Sequence, residues 1–91
     1  MHTDLPSRLE HARVLAGLSQ QELSKLSGLA GSHARLIATG VVESPRVEAA
    51  ERLARTLGVS LDWLVSGVGP EPTAEQVQAA VSKARTLRAA A

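Results

Sequence analysis

Leu18-Ser-Gln-Gln-Glu-Leu-Ser-Lys-Leu-Ser-Gly28-Leu-Ala-Gly-Ser-His-Ala-Arg-Leu-Ile-Ala-Thr-Gly40 decides the fold of this chain. Ser19 can accept from the third amide of a following helix while Glu22 reaches back, which is a capping box. Leu18 before the cap and Leu23 after it can close as a hydrophobic staple. Leu23 and Leu26 then face inward, and Gly28 supplies the positive φ that stops the helix. A second apolar pair, Ala34 and Ile37 at i, i+3, predicts another helix ending at Gly40. The expected bounds are about 20–27 and 31–39. Two short helices hinged at one glycine can present one of them to a nucleic-acid groove.

Working outward, Ser7 and Glu10 have the spacing of another capping box, so a first helix is expected over about residues 7–16, stopped by Gly17. Its apolar positions are Leu9, Ala12 and Ala16. Residues 40–46 read as a loop closed by Pro45, since proline suits the start of a helix. A fourth helix is expected from about Val47 to Leu57, with Val47, Ala50, Leu53, Ala54 and Leu57 on one face. Ser60 and Asp62 offer caps for a short fifth helix over 61–66, with Leu61 and Leu64 inward. Gly67-Val-Gly-Pro-Glu-Pro72 is a cluster of breakers and reads as a linker. Thr73 and Gln76 have the spacing of one more capping box and start a last amphipathic helix whose stripe is Val77, Ala80, Val81, Ala84 and Leu87. A helix of that length is marginal alone in water, so it needs a partner surface on this subunit or another. The expected organisation is residues 1–69 as one unit, 70–72 as linker and 73–91 as a packing or dimerising helix.

Composition agrees with an all-α class. Alanine, leucine and arginine abound, and Trp63 is the single aromatic residue of the 91. Ten basic and nine acidic residues give +1, so any affinity for a polyanion rests on where a few arginines sit and not on bulk charge. No cysteine is present, which rules out disulfides and thiolate metal sites. His2, His11 and His33 lack the spacing of metal ligands. No cofactor, small-molecule ligand or catalytic constellation is expected. No apolar run approaches the ~20 residues of a membrane helix and no signal-peptide core is visible, so a cytoplasmic, nucleoid-associated location is expected.

Gly17-Leu-Ser-Gln-Gln-Glu-Leu, Ser27-Gly-Leu, Ser32-His-Ala-Arg-Leu-Ile, Gly40, Ser44-Pro and Leu57-Gly-Val-Ser-Leu-Asp-Trp-Leu together carry a family resemblance. The segment from about Pro6 to Gly69 resembles the phage-repressor type of helix-turn-helix domain, the Cro and lambda-repressor-like (XRE) family. The resemblance implies a compact five-helix domain, here extended by the C-terminal helix, that binds double-stranded DNA, usually as a homodimer on a two-fold-related operator. It implies a phosphate contact from Gln20, with Gln21 beside it. It places the base-reading positions on Gly31, Ser32 and Leu36, with His33 and Arg35 on the same helix. Backbone-contacting positions fall on Thr39 and Arg46.

Several positions depart from that pattern. The usual capping Ser or Thr is Ala30, whose loss typically costs ~1 kcal/mol. Gly31 has no side chain to read a base, and Leu36 can touch a thymine methyl but forms no bidentate hydrogen bond. Ala38 stands where a glutamate commonly pairs with Arg13, leaving that arginine to a phosphate or to Glu10. The loop is Val41-Val42-Glu43 where relatives are often basic. Two functions are therefore carried forward. One is a bacterial or phage transcriptional regulator, in particular a repressor. The other is a protein-interaction module or antitoxin-like protein that keeps the scaffold with weak or no DNA readout.

Overall fold

The computed structural model describes residues 4–42 and 44–90; His2 and Glu43, which entered the reading above, lie outside them. The described residues form six helices and no strand: α1 Leu5–Ala16, α2 Gln20–Leu26, α3 His33–Ala38, α4 Val47–Leu57, α5 Leu61–Ser66 and α6 Ala74–Ala90. The all-α class is thus the observed one. One continuous core joins them, built on Leu9, Leu23, Ile37, Leu53, Leu57 and Leu64, all fully buried, with Trp63 against them.

Local chemistry sets most of the helix ends. The capping box of α2 forms as expected: Ser19 Oγ accepts from Glu22 N at 3.0 Å and Glu22 Oε1 accepts from Ser19 N at 3.1 Å. Gly28 holds φ +72° in the turn to α3, a conformation that would cost a residue with a Cβ about 1–2 kcal/mol. Helices α4 and α5 have the expected bounds, and Ser60 Oγ caps α5 by accepting from Trp63 N. Arg8, buried from α1, closes the other end of α5 by donating to Leu64 O at 2.9 Å and Val65 O at 2.8 Å. A guanidinium satisfies several late carbonyls at once, which suits a helix C-terminus.

Four expectations are corrected. The Ser7–Glu10 capping box does not form. Asp4 is the cap of α1, accepting from Ser7 N at 2.9 Å, and Pro6 in the first turn lets the helix start at Leu5. Helix α3 is shorter than 31–39 because Ala30 supplies no cap, so Gly31 and Ser32 stay in a turn closed by His33 N to Ala30 O at 2.9 Å. Val47 is exposed; it lines a surface hollow with Leu5, Pro45 and Val65 and no element covers it. The C-terminal capping box is half made: Thr73 Oγ1 accepts from Gln76 N, but the Gln76 side chain donates to Gly58 O at 2.7 Å.

Helix α6 folds back on its own chain. Val77 and Val81 are buried in the common core with Leu9 and Ala12 of α1. Gln78 donates to Leu15 O, Arg85 pairs with Glu22 at 3.3 Å and Arg88 donates to Lys25 O. The close approach to α4 depends on Gly58, where an added Cβ would stand 2.4 Å from the Ala80 methyl. The stripe read from the sequence is covered only in its first half; Leu87 is 63% exposed. No described helix is long and apolar enough to cross a membrane.

Candidate nucleic-acid interface

The turn between α2 and α3 folds because each helix satisfies the other. Ser24 is fully buried in the middle of α2, and its Oγ accepts from Ala34 N at 2.8 Å. That hydroxyl does for α3 what a residue at position 30 ordinarily does, and it removes an amide that would otherwise be buried and unpaired. Ala34 and Ile37 then seat in the core, which turns the opposite side of α3 outward.

On that outward side, Ser19, Gln20, Gln21, Gly31, Ser32 and Arg35 line one open hollow of about 540 Å³. Gln21, Ser32 and Arg35 are exposed, and Ser32 makes no capping bond with its hydroxyl. Gly31 has ordinary backbone, and a Cβ there would meet the side chains of Gln21 and Lys25 at ordinary contact distances, 3.6–3.8 Å. Among the described residues no carboxylate lines this hollow. The geometry thus brings together Gln20, Gln21, Gly31, Ser32 and Arg35 from the residues expected to meet DNA.

The others are placed apart from it. His33 and Arg46 line a second hollow of about 410 Å³ with Leu29, Val42 and Pro45, beneath the loop before α4. His33 Nε2 is buried there with no hydrogen-bond partner among the described residues. Arg46 itself is exposed at the start of α4. Leu36 is half-buried, and its carbonyl holds Val42 N at 3.0 Å, fixing the loop to α3. Thr39 is exposed at the end of α3, its hydroxyl donating back to Arg35 O at 2.9 Å.

Behind Gln20 lies a small charged network. Glu10 accepts from Arg13 at 2.7 Å and from Gln20 Nε2 at 3.1 Å, while Arg13 Nη1 donates to Leu18 O at 2.6 Å. The hydrogen bonds from Arg13 hold the Glu10 carboxyl below the usual carboxylate range, Gln20 adds to the effect, and partial burial opposes it. The Arg13 guanidinium is raised by the same contact. Of the two alternatives left open for Arg13, Glu10 is the partner. A primary amide carries two donors, so the bond to Glu10 holds Gln20 in place and leaves it one further N–H to donate. Reading the sequence alone missed Ser24 and the orienting role of Glu10. The signal for Ser24 was indirect: Ala30 at a cap position demands another acceptor nearby.

Among the described residues no group of three His, Asp or Glu is gathered to hold a metal ion. No solved structure matches the chain. The family model described as helix-turn-helix matches residues 9–64, from the middle of α1 into α5. That match covers more than half of the chain, takes in α2, the Gly28 turn and α3, and agrees with their geometry. The chain belongs to the helix-turn-helix family of the Cro and lambda-repressor type, a family of DNA-binding transcription regulators.

Proposed function

We propose that this protein binds duplex DNA sequence-selectively through the outward side of α3 and acts as a repressor, two copies meeting two-fold-related half-sites. One observation carries the proposal: Gln20, Gln21, Ser32 and Arg35 share an exposed hollow that no carboxylate of the described residues lines. Arg35 has the reach and the planar fork to pair with a guanine edge. Ser32 and Gln21 supply shorter contacts to bases or phosphates, and Leu36 a flank for a thymine methyl. Gln20, held by Glu10, and Arg46, exposed at the start of α4, fix register on the phosphates. Half-sites one helical turn apart, ~34 Å, follow for a dimer. With a formal charge of only +1, affinity depends on these few cations and falls with salt by about one unit of log–log slope for each phosphate they neutralise.

The test is selection from random duplexes followed by anisotropy titration of the selected site. Arg46→Ala is expected to weaken all duplexes alike and to lower the salt slope by about one. Arg35→Ala is expected to cost about 1–3 kcal/mol on the selected site and to relax preference at one position. No binding to any duplex at low salt overturns the proposal.

A second reading, an interaction module with little DNA readout, is favoured by Gly31 at a base-reading position and by Val41, 70% exposed on the loop beside α3. It predicts that Arg35→Ala leaves duplex binding unchanged while Val41→Asp abolishes capture of a stoichiometric protein partner.

A further inference from the structure

The outer half of α6 leaves an unfilled groove against α2 and α4, and most of it is built from residues beyond the 9–64 family match. Leu26, Ala84 and Leu87 make its floor, and Arg55, Lys83 and Arg88 stand along its rim. Its volume is about 540 Å³. A second hollow of about 370 Å³ continues it past the Gly28 turn, sharing Leu26, Arg55, Thr56 and Arg88 and adding Arg52. Among the described residues no carboxylate lines either part. Arg52 is engaged with Glu48 and Gly28 O, and Arg88 with Lys25 O. Among the described residues, neither Arg55 nor Lys83 has an ion-pair partner.

We propose that this groove docks an acidic amphipathic helix of a partner protein, its apolar stripe on Leu26, Ala84 and Leu87 and its carboxylates on Arg55 and Lys83. Three features select that occupant. The floor is apolar and Leu87 is largely exposed, which gives a stripe of i, i+3, i+7 side chains somewhere to insert. The rim is uniformly cationic, so the complement is anionic. The two hollows form one elongated groove, which suits a rod and not a compact molecule. A second copy of this chain is disfavoured on charge, because a two-fold contact would bring the same cations face to face. Duplex DNA has no use for the leucine floor. The groove lies at the C-terminal end of α2, whereas the candidate DNA face lies at its N-terminal end, so both can be occupied together.

The test uses the full chain and a synthetic amphipathic peptide with leucines on one stripe and glutamates elsewhere. Binding is followed by fluorescence anisotropy and by amide shifts in isotope-labelled protein. Expected are shifts confined to Leu26, Ala84, Leu87 and their neighbours, and binding weakened about tenfold or more by the double variant Arg55→Glu, Lys83→Glu. Both side chains are exposed, and a thermal melt verifies that the variant folds. Its affinity for a selected duplex is expected to stay within about twofold, the margin of surface changes remote from an interface. The proposal is overturned if the acidic peptide shifts nothing, or if a lysine-for-glutamate peptide binds as well. It is also overturned if dodecanoate, and not the peptide, moves the groove, or if the double variant loses duplex affinity in parallel. Failure of the chain to bind any duplex would sink the DNA reading alone and leave the peptide result standing.

Discussion

Glu10 shows how one side chain links stability to the candidate site. Its carboxyl is held below the ordinary range by Arg13 first and by Gln20 after it. A carboxyl whose folded pKa is depressed contributes its stability above the unfolded value, 4.5, and loses it as pH falls through the folded value. The pair is partly exposed, 20% and 31% for its two side chains, so its worth is about 0.5–1 kcal/mol. Glu10→Gln is therefore expected to lower the unfolding free energy from urea titration at pH 7 by that much, and the gap should narrow below pH 4.5. Asp4 is depressed too, by the Ser7 hydroxyl and then the Ser7 amide, and Glu22 by the Ser19 amide and then its hydroxyl, but they titrate alike in both proteins and cancel from the difference. A gap that is the same at neutral and acid pH would refute the assignment. What could be read at this scale was the local chemistry. The Ser19–Glu22 box closes within four residues and needs nothing else. Ser24 on Ala34 N and Arg8 on Leu64 O span ten and 56 positions, and no pattern of neighbours encodes such a reach.

At the scale of elements, α4 and α5 were legible because proline, serine and glycine mark their ends and the apolar period is clean between them. The recognition element was less so. Period alone extends α3 back to residue 31, but a helix needs a first-turn acceptor, and with Ala30 the acceptor comes from α2 instead. The same limit hid the docking of α6. Gly58 reads as an ordinary helix stop, yet it is also where α6 crosses α4. Gly17 provides the control, since it ends α1 with nearly the same φ, +72° against +67°, and has nothing within 4 Å of an added Cβ. Gly17→Ala should cost only the backbone term of about 1–2 kcal/mol. Gly58→Ala should cost that and a further 1–3 kcal/mol or so, because the methyl must displace Ala80. Paired chemical denaturation measures the difference. Equal losses at the two glycines would mean that α6 does not press on α4.

Over the whole molecule the question is what α6 is for, and the core gives a physical answer. A chain of 91 residues has a total stability of roughly 5–14 kcal/mol. Val77 and Val81, both essentially inaccessible, each gain about 1.5–3 kcal/mol by burial, offset in part by the entropy of ordering the helix. Breakers at residues 67–72 hinge α6, but the stripe of small residues at 80 and 84 lets it lie close enough to bury those valines against α1. A protein ending at residue 69 is therefore expected to lose about 2 kcal/mol or more and to unfold with a shallower urea slope, since less surface is exposed on unfolding. Protein concentration separates packing within one chain from packing between chains. If α6 serves its own subunit, the loss on truncation is the same at low and high protein concentration. If it instead bridged two subunits, the full chain would gain stability with concentration and the truncated one would not. A loss that grows with concentration would therefore transfer α6 from the core of one molecule to the junction between two, and with it the groove that its outer half creates.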